Sequence, residues 1–151
     1  MGWSMIAIVQ RVKECTMQCV GYQTQLINHG ILVFLGIESG DHNQDIKYII
    51  QKLLKLRIFN DDSEKMNLSV SDIQGEIMII SQFTLCGDTT KGNRPSYMNA
   101  MEASEAKLIY NNFIDEISTI YSKIKSGVFQ GNMQINLIND GPVTLILRSN
   151  K

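Results

Sequence analysis

Apolar positions along the chain follow two periods, and the switch between them divides the sequence into strands and helices. Ile6 to Val12 predicts a first strand. Thr16 to Val20, Gly21 and Tyr22 to Ile27 predict a pair of short strands around a turn. Asn28-His29-Gly30 is a further turn signal, and the dense run Ile31 to Ile37 predicts a buried strand. Gly40 to Asn43 then supplies capping chemistry for a helix with apolar residues at Ile46, Ile49, Ile50, Leu53 and Leu54, one stripe of an amphipathic helix. Asn60 to Lys65 reads as a loop, Ile77 to Thr84 as a second buried strand, and Gly87 to Pro95 as a long polar loop. A second helix is predicted from about Ser104 to Tyr121, buried along Ala106, Ile109, Tyr110, Phe113, Ile117 and Ile120, with Ser104 as its N-cap. Met133 to Ile138, a turn at Asn139-Asp140-Gly141, and Val143 to Leu147 return the chain to strands. The expectation is an α+β architecture of mostly antiparallel strands carrying two main helices.

At 151 residues the chain fits one domain, and 44% hydrophobic residues suffice for a core without metals or disulfides. With 14 basic against 15 acidic residues, bulk charge neither suggests nor excludes nucleic acid. The three cysteines, Cys15, Cys19 and Cys86, form no C-x-x-C pair, which fits a reducing compartment. His29 and His42 stand outside any ligand-like cluster, so no metal site is expected. No apolar run approaches the roughly 20 residues that span a bilayer, and no signal-peptide pattern opens the chain, so a cytoplasmic protein without a membrane partner is expected. The opening Met1-Gly2-Trp3-Ser4 precedes a second methionine, Met5, and carries no functional expectation.

Two segments concentrate polar groups at strand ends. In Ser81-Gln82-Phe83-Thr84-Leu85, three polar side chains follow the apolar run Ile77 to Ile80. Locally this is either a strand edge passing into a loop or a set of fixed hydroxyl and amide groups facing a pocket. In Asn139-Asp140-Gly141-Pro142-Val143-Thr144, an ordinary turn signal precedes a strong strand. A hairpin turn is the plain local reading.

Together these segments resemble the two signature motifs of the D-aminoacyl-tRNA deacylases, Ser-Gln-Phe-Thr-Leu and Asn-x-Gly-Pro-Val-Thr. Gln10-Arg11-Val12, Leu56-Arg57-Ile58-Phe59, Lys65-Met66-Asn67-Leu68 and Lys91-Gly92-Asn93-Arg94-Pro95 resemble family segments in the same order, so the likeness runs from Met5 onward. One segment departs: Gly127 to Met133 resembles Gly-x-Phe-Gly-Ala-x-Met but carries Gln130 and Gly131 in its middle. The resemblance implies the family fold, with a barrel-like core, and a homodimer whose active sites lie at the subunit interface. Each site would combine Ser81, Gln82, Phe83 and Thr84 of one chain with Gly141 and Pro142 of the other. It further implies a cis Gly141-Pro142 bond braced by Arg11. Phe129 and Met133 would lie on the substrate side, Phe129 near the terminal adenosine of the tRNA. No cofactor is implied.

The implied substrate is an aminoacyl ester on the 3′-terminal ribose of tRNA. Its hydrolysis needs a placed water and donors for the developing oxyanion. No Gly-x-Ser-x-Gly elbow is present and neither histidine adjoins a motif. A threonine hydroxyl is a weak nucleophile without a base, so direct attack by water is favoured over a covalent role for Thr84. Backbone N–H groups near Phe83 and Thr84 would serve the oxyanion, and Ser81 and Gln82 would orient the substrate. Lys91 and Arg94 either reach acceptor-end phosphates or face solvent. The other readings are an editing hydrolase of different amino-acid selectivity on the same fold, and a non-catalytic RNA- or nucleotide-binding module.

Overall fold

The strand Gly30–Gly36 is buried on both faces, and the rest of the fold follows from what covers each face. The computed structural model describes residues 4–149; Met1 to Trp3 of the opening segment lie outside them. In chain order the strands are β1 (Ile6–Cys19), β2 (Gln25–Ile27), β3 (Gly30–Gly36), β4 (Phe59–Asn60), β5 (Met66–Leu68), β6 (Glu76–Ser81), β7 (Ile124–Ser126) and β8 (Met133–Arg148). Helix α1 (Asn43–Lys55) follows β3, and helix α2 (Ala103–Ile120) follows a 3-10 turn at Phe83–Cys86. Six strands form one sheet in the order β2-β1-β3-β6-β7, with β8 on the other edge of β1. β4 and β5 form a separate small hairpin around the polar segment read as a loop.

One face of β3 and β6 presents Ile31, Val33, Leu35, Ile77 and Ile79 to the helices. Against it α1 packs Ile46, Ile49, Ile50 and Leu53, and α2 packs Ala106, Tyr110, Phe113 and Ile117. Each large apolar side chain so buried contributes roughly 1.5–3 kcal/mol before chain entropy is counted. The other face presents Leu32, Met78 and Ile80 to a second cluster that includes Val12, Cys15, Met17 and Ile27. Pairing between β1 and β8 shifts register between Val12 and Glu14, where two steps on β1 meet one on β8. This bulge reverses the alternation, so Ala7 and Val9 face the helices while Cys15 and Met17 face the second cluster. The far halves of β1 and β8 thus fold over the sheet and make the core barrel-like.

Four expectations change. The predicted strand Ile6 to Val12 and the segment from Thr16 belong to one long strand, because β8 pairs with β1 from Ile6 to Cys19. Only Gln25–Ile27 of the proposed Tyr22 to Ile27 strand pairs. The predicted turn at Asn139-Asp140-Gly141 does not reverse the chain. Val12 pairs with Asn139 and Gln10 with Thr144, so β8 keeps its direction and loops out opposite Arg11. Helix α2 is capped by Glu102 rather than Ser104. The Glu102 carboxylate accepts from Ser104 N at 3.1 Å and Glu105 N at 3.4 Å, and also from the Ser104 hydroxyl. A carboxylate is the stronger acceptor at a helix N-terminus. The sheet is mixed, with β3–β6 and β6–β7 parallel and the other pairs antiparallel. Among the described residues no helix is long and apolar enough to cross a membrane.

Candidate active site

β6 ends at Ser81, which pairs with Leu35. Gln82 N still donates to Leu35 O at 2.8 Å, but β3 stops one residue later and no strand remains to pair with. The chain therefore winds into the 3-10 turn, closed by Leu85 N to Gln82 O at 3.2 Å and Gly87 N to Thr84 O at 3.1 Å. The strand expected to reach Thr84 stops at Ser81, and Thr84 stands in the turn. The N–H groups of Phe83 and Thr84 open that turn and donate to no backbone acceptor among the described residues, as at the start of any helical turn. The Phe83 ring lies edge-on to Tyr97, with centroids 5.0 Å apart, and is 57% exposed.

Ser81 to Thr84 form one wall of a cavity of about 720 Å³. The start of α2 supplies a second wall through Met101, Ala103 and Ala106, and Phe129 to Met133 a third. None of the side chains lining the cavity is a carboxylic acid, histidine, lysine, arginine, cysteine or tyrosine. The nearby Cys86 is buried, and burial, reinforced by Glu38 and Asp41, pushes its thiol up to about 12. It is no nucleophile.

The third wall is held from behind. The Tyr110 hydroxyl donates to Ile79 O at 2.8 Å, and its ring lies 5.8 Å from that of Phe129. Burial raises the Tyr110 phenol far above its ordinary value, so it remains a donor. A Cβ on Gly127 would stand 2.8 Å from the Met133 sulfur, to which Val128 N donates at 3.4 Å. Phe129 and Met133 thus reach the same cavity as Ser81 to Thr84.

Gly141 and Pro142 do not line that cavity; both are exposed, and the peptide bond between them is cis. They occupy the loop-out of β8. Asn139 Oδ1 accepts from Val143 N at 2.9 Å, and Asn139 Nδ2 donates to Thr144 Oγ1 at 2.9 Å, so the motif's polar residues close the base of the loop. Gln10 Nε2 adds a bond to Thr144 Oγ1 at 3.2 Å. Arg11, 7% exposed, donates through Nε to Asp140 O at 2.9 Å and through Nη1 to Ile58 O at 2.6 Å. Its Nε also lies 3.5 Å from the Asp140 carboxylate. Gly141 has φ +137, where a Cβ would meet the Arg11 guanidinium at 3.0 Å. Arg11 is level with Ile31 and Ile77, four residues before Ser81 on β6. β1 and β3 lie between the loop and β6, so the loop and the cavity open at different places on one chain.

Sequence reasoning missed three supports: the Ile58 carbonyl, Tyr110 as more than a core residue, and His29. The His29 ring packs edge-on against Phe59 at 5.2 Å with Nε2 4.0 Å from the Asp140 carboxylate. A carbonyl acceptor has no residue-type signature, and Tyr110 is indistinguishable from its stripe. Lys91 and Arg94 are exposed in the loop closed by the paired backbone of Asp88 and Ser96.

Residues 8–148 match the family model described as D-Tyr-tRNA(Tyr) deacylase. The chain belongs to this family. It is 47% identical over 145 residues to the D-aminoacyl-tRNA deacylase of Thermodesulfovibrio yellowstonii, covering 96% of this chain and 99% of that protein. It is likewise 47% identical to the D-aminoacyl-tRNA deacylase of Halothermothrix orenii over 147 residues, 97% of this chain and 99% of that protein. Among solved structures, the c-Myc DNA Unwinding Element Binding Protein superposes with a TM-score of 0.91 at 40% identity, covering 97% of this chain and 99% of that one. A probable eukaryotic D-amino acid tRNA deacylase shares the fold with a TM-score of 0.86 at 13% identity, over 97% of this chain and 100% of that one. The deacylase family therefore accounts for nearly the whole chain, both signature segments included.

Proposed function

We propose that this protein hydrolyses the ester bond of D-aminoacyl-tRNA, releasing the free D-amino acid and the tRNA, as a proofreading step in translation. Family membership supports the reaction class. The observation that carries the mechanism is the cavity itself, which sets hydroxyl, amide and free backbone N–H groups beside apolar walls and offers no ionisable side chain.

Water attacks the ester carbonyl, and the carbonyl oxygen becomes an oxyanion. In this reading the N–H groups of Phe83 and Thr84 donate to it. As the tetrahedral species collapses, the bond to the ribose oxygen breaks. One proton of the water ends on that oxygen, with the vicinal ribose hydroxyl assisting, and the amino acid releases the other to solvent as it leaves as a carboxylate. Ser81 and Gln82 orient the substrate, and Phe129 and Met133 receive the terminal adenosine. Thr84 forms no covalent adduct, because no base stands beside it.

The working form is a homodimer. Gly141 and Pro142 are exposed, lie away from their own cavity, and project from the edge of the sheet. β8 has no strand partner on its outer edge among the described residues, and Ile138, Leu145 and Ile146 are exposed along it. The unpaired outer edge of a strand of 16 residues is a ready surface for a second copy. A two-fold arrangement carries each Gly141-Pro142 segment to the partner's cavity and makes both sites equivalent. There its backbone blocks the place an L side chain would take. Such a protein works in the cytoplasm, where tRNA is charged.

The direct test is deacylation of D-tyrosyl-tRNA by purified protein with L-tyrosyl-tRNA as control. Rapid loss of the D ester alone is expected; equal rates, or none, would overturn the reading.

A further inference from the structure

We propose that Gln130 reads the terminal base of the substrate, pairing its side-chain amide with the donor and acceptor edge of the 3′-terminal adenine. The assignment rests on the deacylase reading above. Gln130 is the third residue of a turn closed by Gly131 N to Val128 O at 2.9 Å, and its φ is +59. A positive φ at this position is the usual place of Gly or Asn, because any other L side chain crowds its own backbone.

A glycine does stand next to it, for a different reason. A Cβ on Gly131 would lie 2.9 Å from the Val128 Cβ and 3.0 Å from the Cys19 sulfur. Close packing asks for glycine at 131, the backbone angle asks for it at 130, and only the first demand is met. A side chain kept at a position that disfavours one points to a use for it. Nothing among the described residues supplies that use. The Gln130 amide is exposed on the cavity wall and makes no hydrogen bond among the described residues.

The chemistry of the substrate decides what the amide meets. Amino-acid side chains differ from one substrate to the next, so a fixed amide facing them would favour some and reject others. The 3′-terminal adenosine is common to every tRNA. Adenine offers an N6 amino donor beside a ring-nitrogen acceptor, which one glutamine carboxamide matches with two hydrogen bonds. Phe129, the preceding residue, lines the same wall, and aromatic side chains are the surfaces on which unpaired bases stack.

The test compares the full-length protein with Gln130→Gly, which suits the backbone angle. Its Tm is expected to equal or exceed that of the parent, so a lost rate is not lost folding. Both are assayed on D-tyrosyl-tRNA ending in adenosine and on the same tRNA ending in purine riboside, which lacks the N6 amino group. The parent should lose about tenfold in kcat/KM on the purine end. Gln130→Gly should lose about tenfold on adenosine and nothing further on purine riboside. A variant that cleaves the adenosine-ended substrate at the parent's rate overturns the assignment, as do equal losses on both ends. A parent protein inert on both substrates overturns the deacylase reading itself.

Discussion

The guanidinium of Arg11 and the carbonyl of Asp140 meet at 2.9 Å at the point where β8 leaves its register with β1. The bond fixes the residue immediately before Gly141 to a strand in the middle of the sheet. The second fork of the same side chain holds Ile58 O, at the exit from α1. One buried cation therefore ties the exposed loop to two independent parts of the scaffold.

Arg11→Lys should weaken selectivity more than folding. An ammonium group cannot span two carbonyls as the planar fork does. The loop then shifts, and the ratio of kcat/KM for D- over L-tyrosyl-tRNA should fall about tenfold, or ~1.4 kcal/mol. Arg11→Ala also leaves buried acceptors unpaired and should cost about 3 kcal/mol in a urea melt. Unchanged selectivity in Arg11→Lys at full stability would show that the brace is not what holds the loop.

Thr84→Ala should retain measurable deacylation, since neither the oxyanion donors nor the attacking water depend on its hydroxyl. Bulky residues at 83 or 84 should block the cavity. Because no ionisable side chain lines the cavity, kcat between pH 6 and 8.5 should show no bell assigned to an enzyme acid and base. The substrate's own amino group remains the one titrating participant, near the ordinary α-amino range of about 7.7–8.0. Mass-spectrometric capture of an aminoacyl group on Thr84 would reverse this mechanism.

The proposed dimer has a simple readout. Sedimentation at micromolar concentration should give about twice the 17.1 kDa chain mass. Ile146→Asp, at an exposed position on β8, should shift the protein to monomer and remove activity together. A monomer with full activity would place Gly141-Pro142 outside the site.

Exclusion by backbone predicts a graded response to the substituent on the α-carbon. Glycyl-tRNA, which has no side chain to clash, should be cleaved at least in part. D-alanyl-tRNA should be cleaved fast and L-alanyl-tRNA should survive. The three rates measured side by side decide the point: inert glycyl-tRNA, or equal D and L rates, would mean that the enantiomers are told apart by something else.

The parts of the fold legible from sequence are those with strong periodicity. The stripe from Ile46 to Leu53 and the run Ile31 to Ile37 were visible because burial acts at regular spacing. The β8 loop-out was not. Asn139-Asp140-Gly141 carries turn chemistry whether the chain reverses or only bulges, and the difference lies in pairing with Gln10 and Val12, more than a hundred residues away. The cap at Glu102 is not legible in the sequence because carboxylates and hydroxyls compete at neighbouring positions, and which one reaches the free N–H groups is set by chain entry. The motif residues of the cavity were nameable, yet their placement in a turn depends on where β3, a different strand, runs out.

β1 and β8, the first and the last strand, are partners along nearly their full lengths, and Ser149 N still donates to Met5 O at 3.0 Å beyond their ends. A nascent chain that has released both helices and β6 still lacks the strand that covers the outer edge of β1. The Arg11 side chain then has neither Asp140 to hold nor a loop to brace. Pairing of β8 with β1 completes the sheet and sets the Gly141-Pro142 loop against Arg11 in a single step. A chain without β8 keeps the residues of the Ser81 to Thr84 wall but has no Gly141-Pro142 loop for Arg11 to hold.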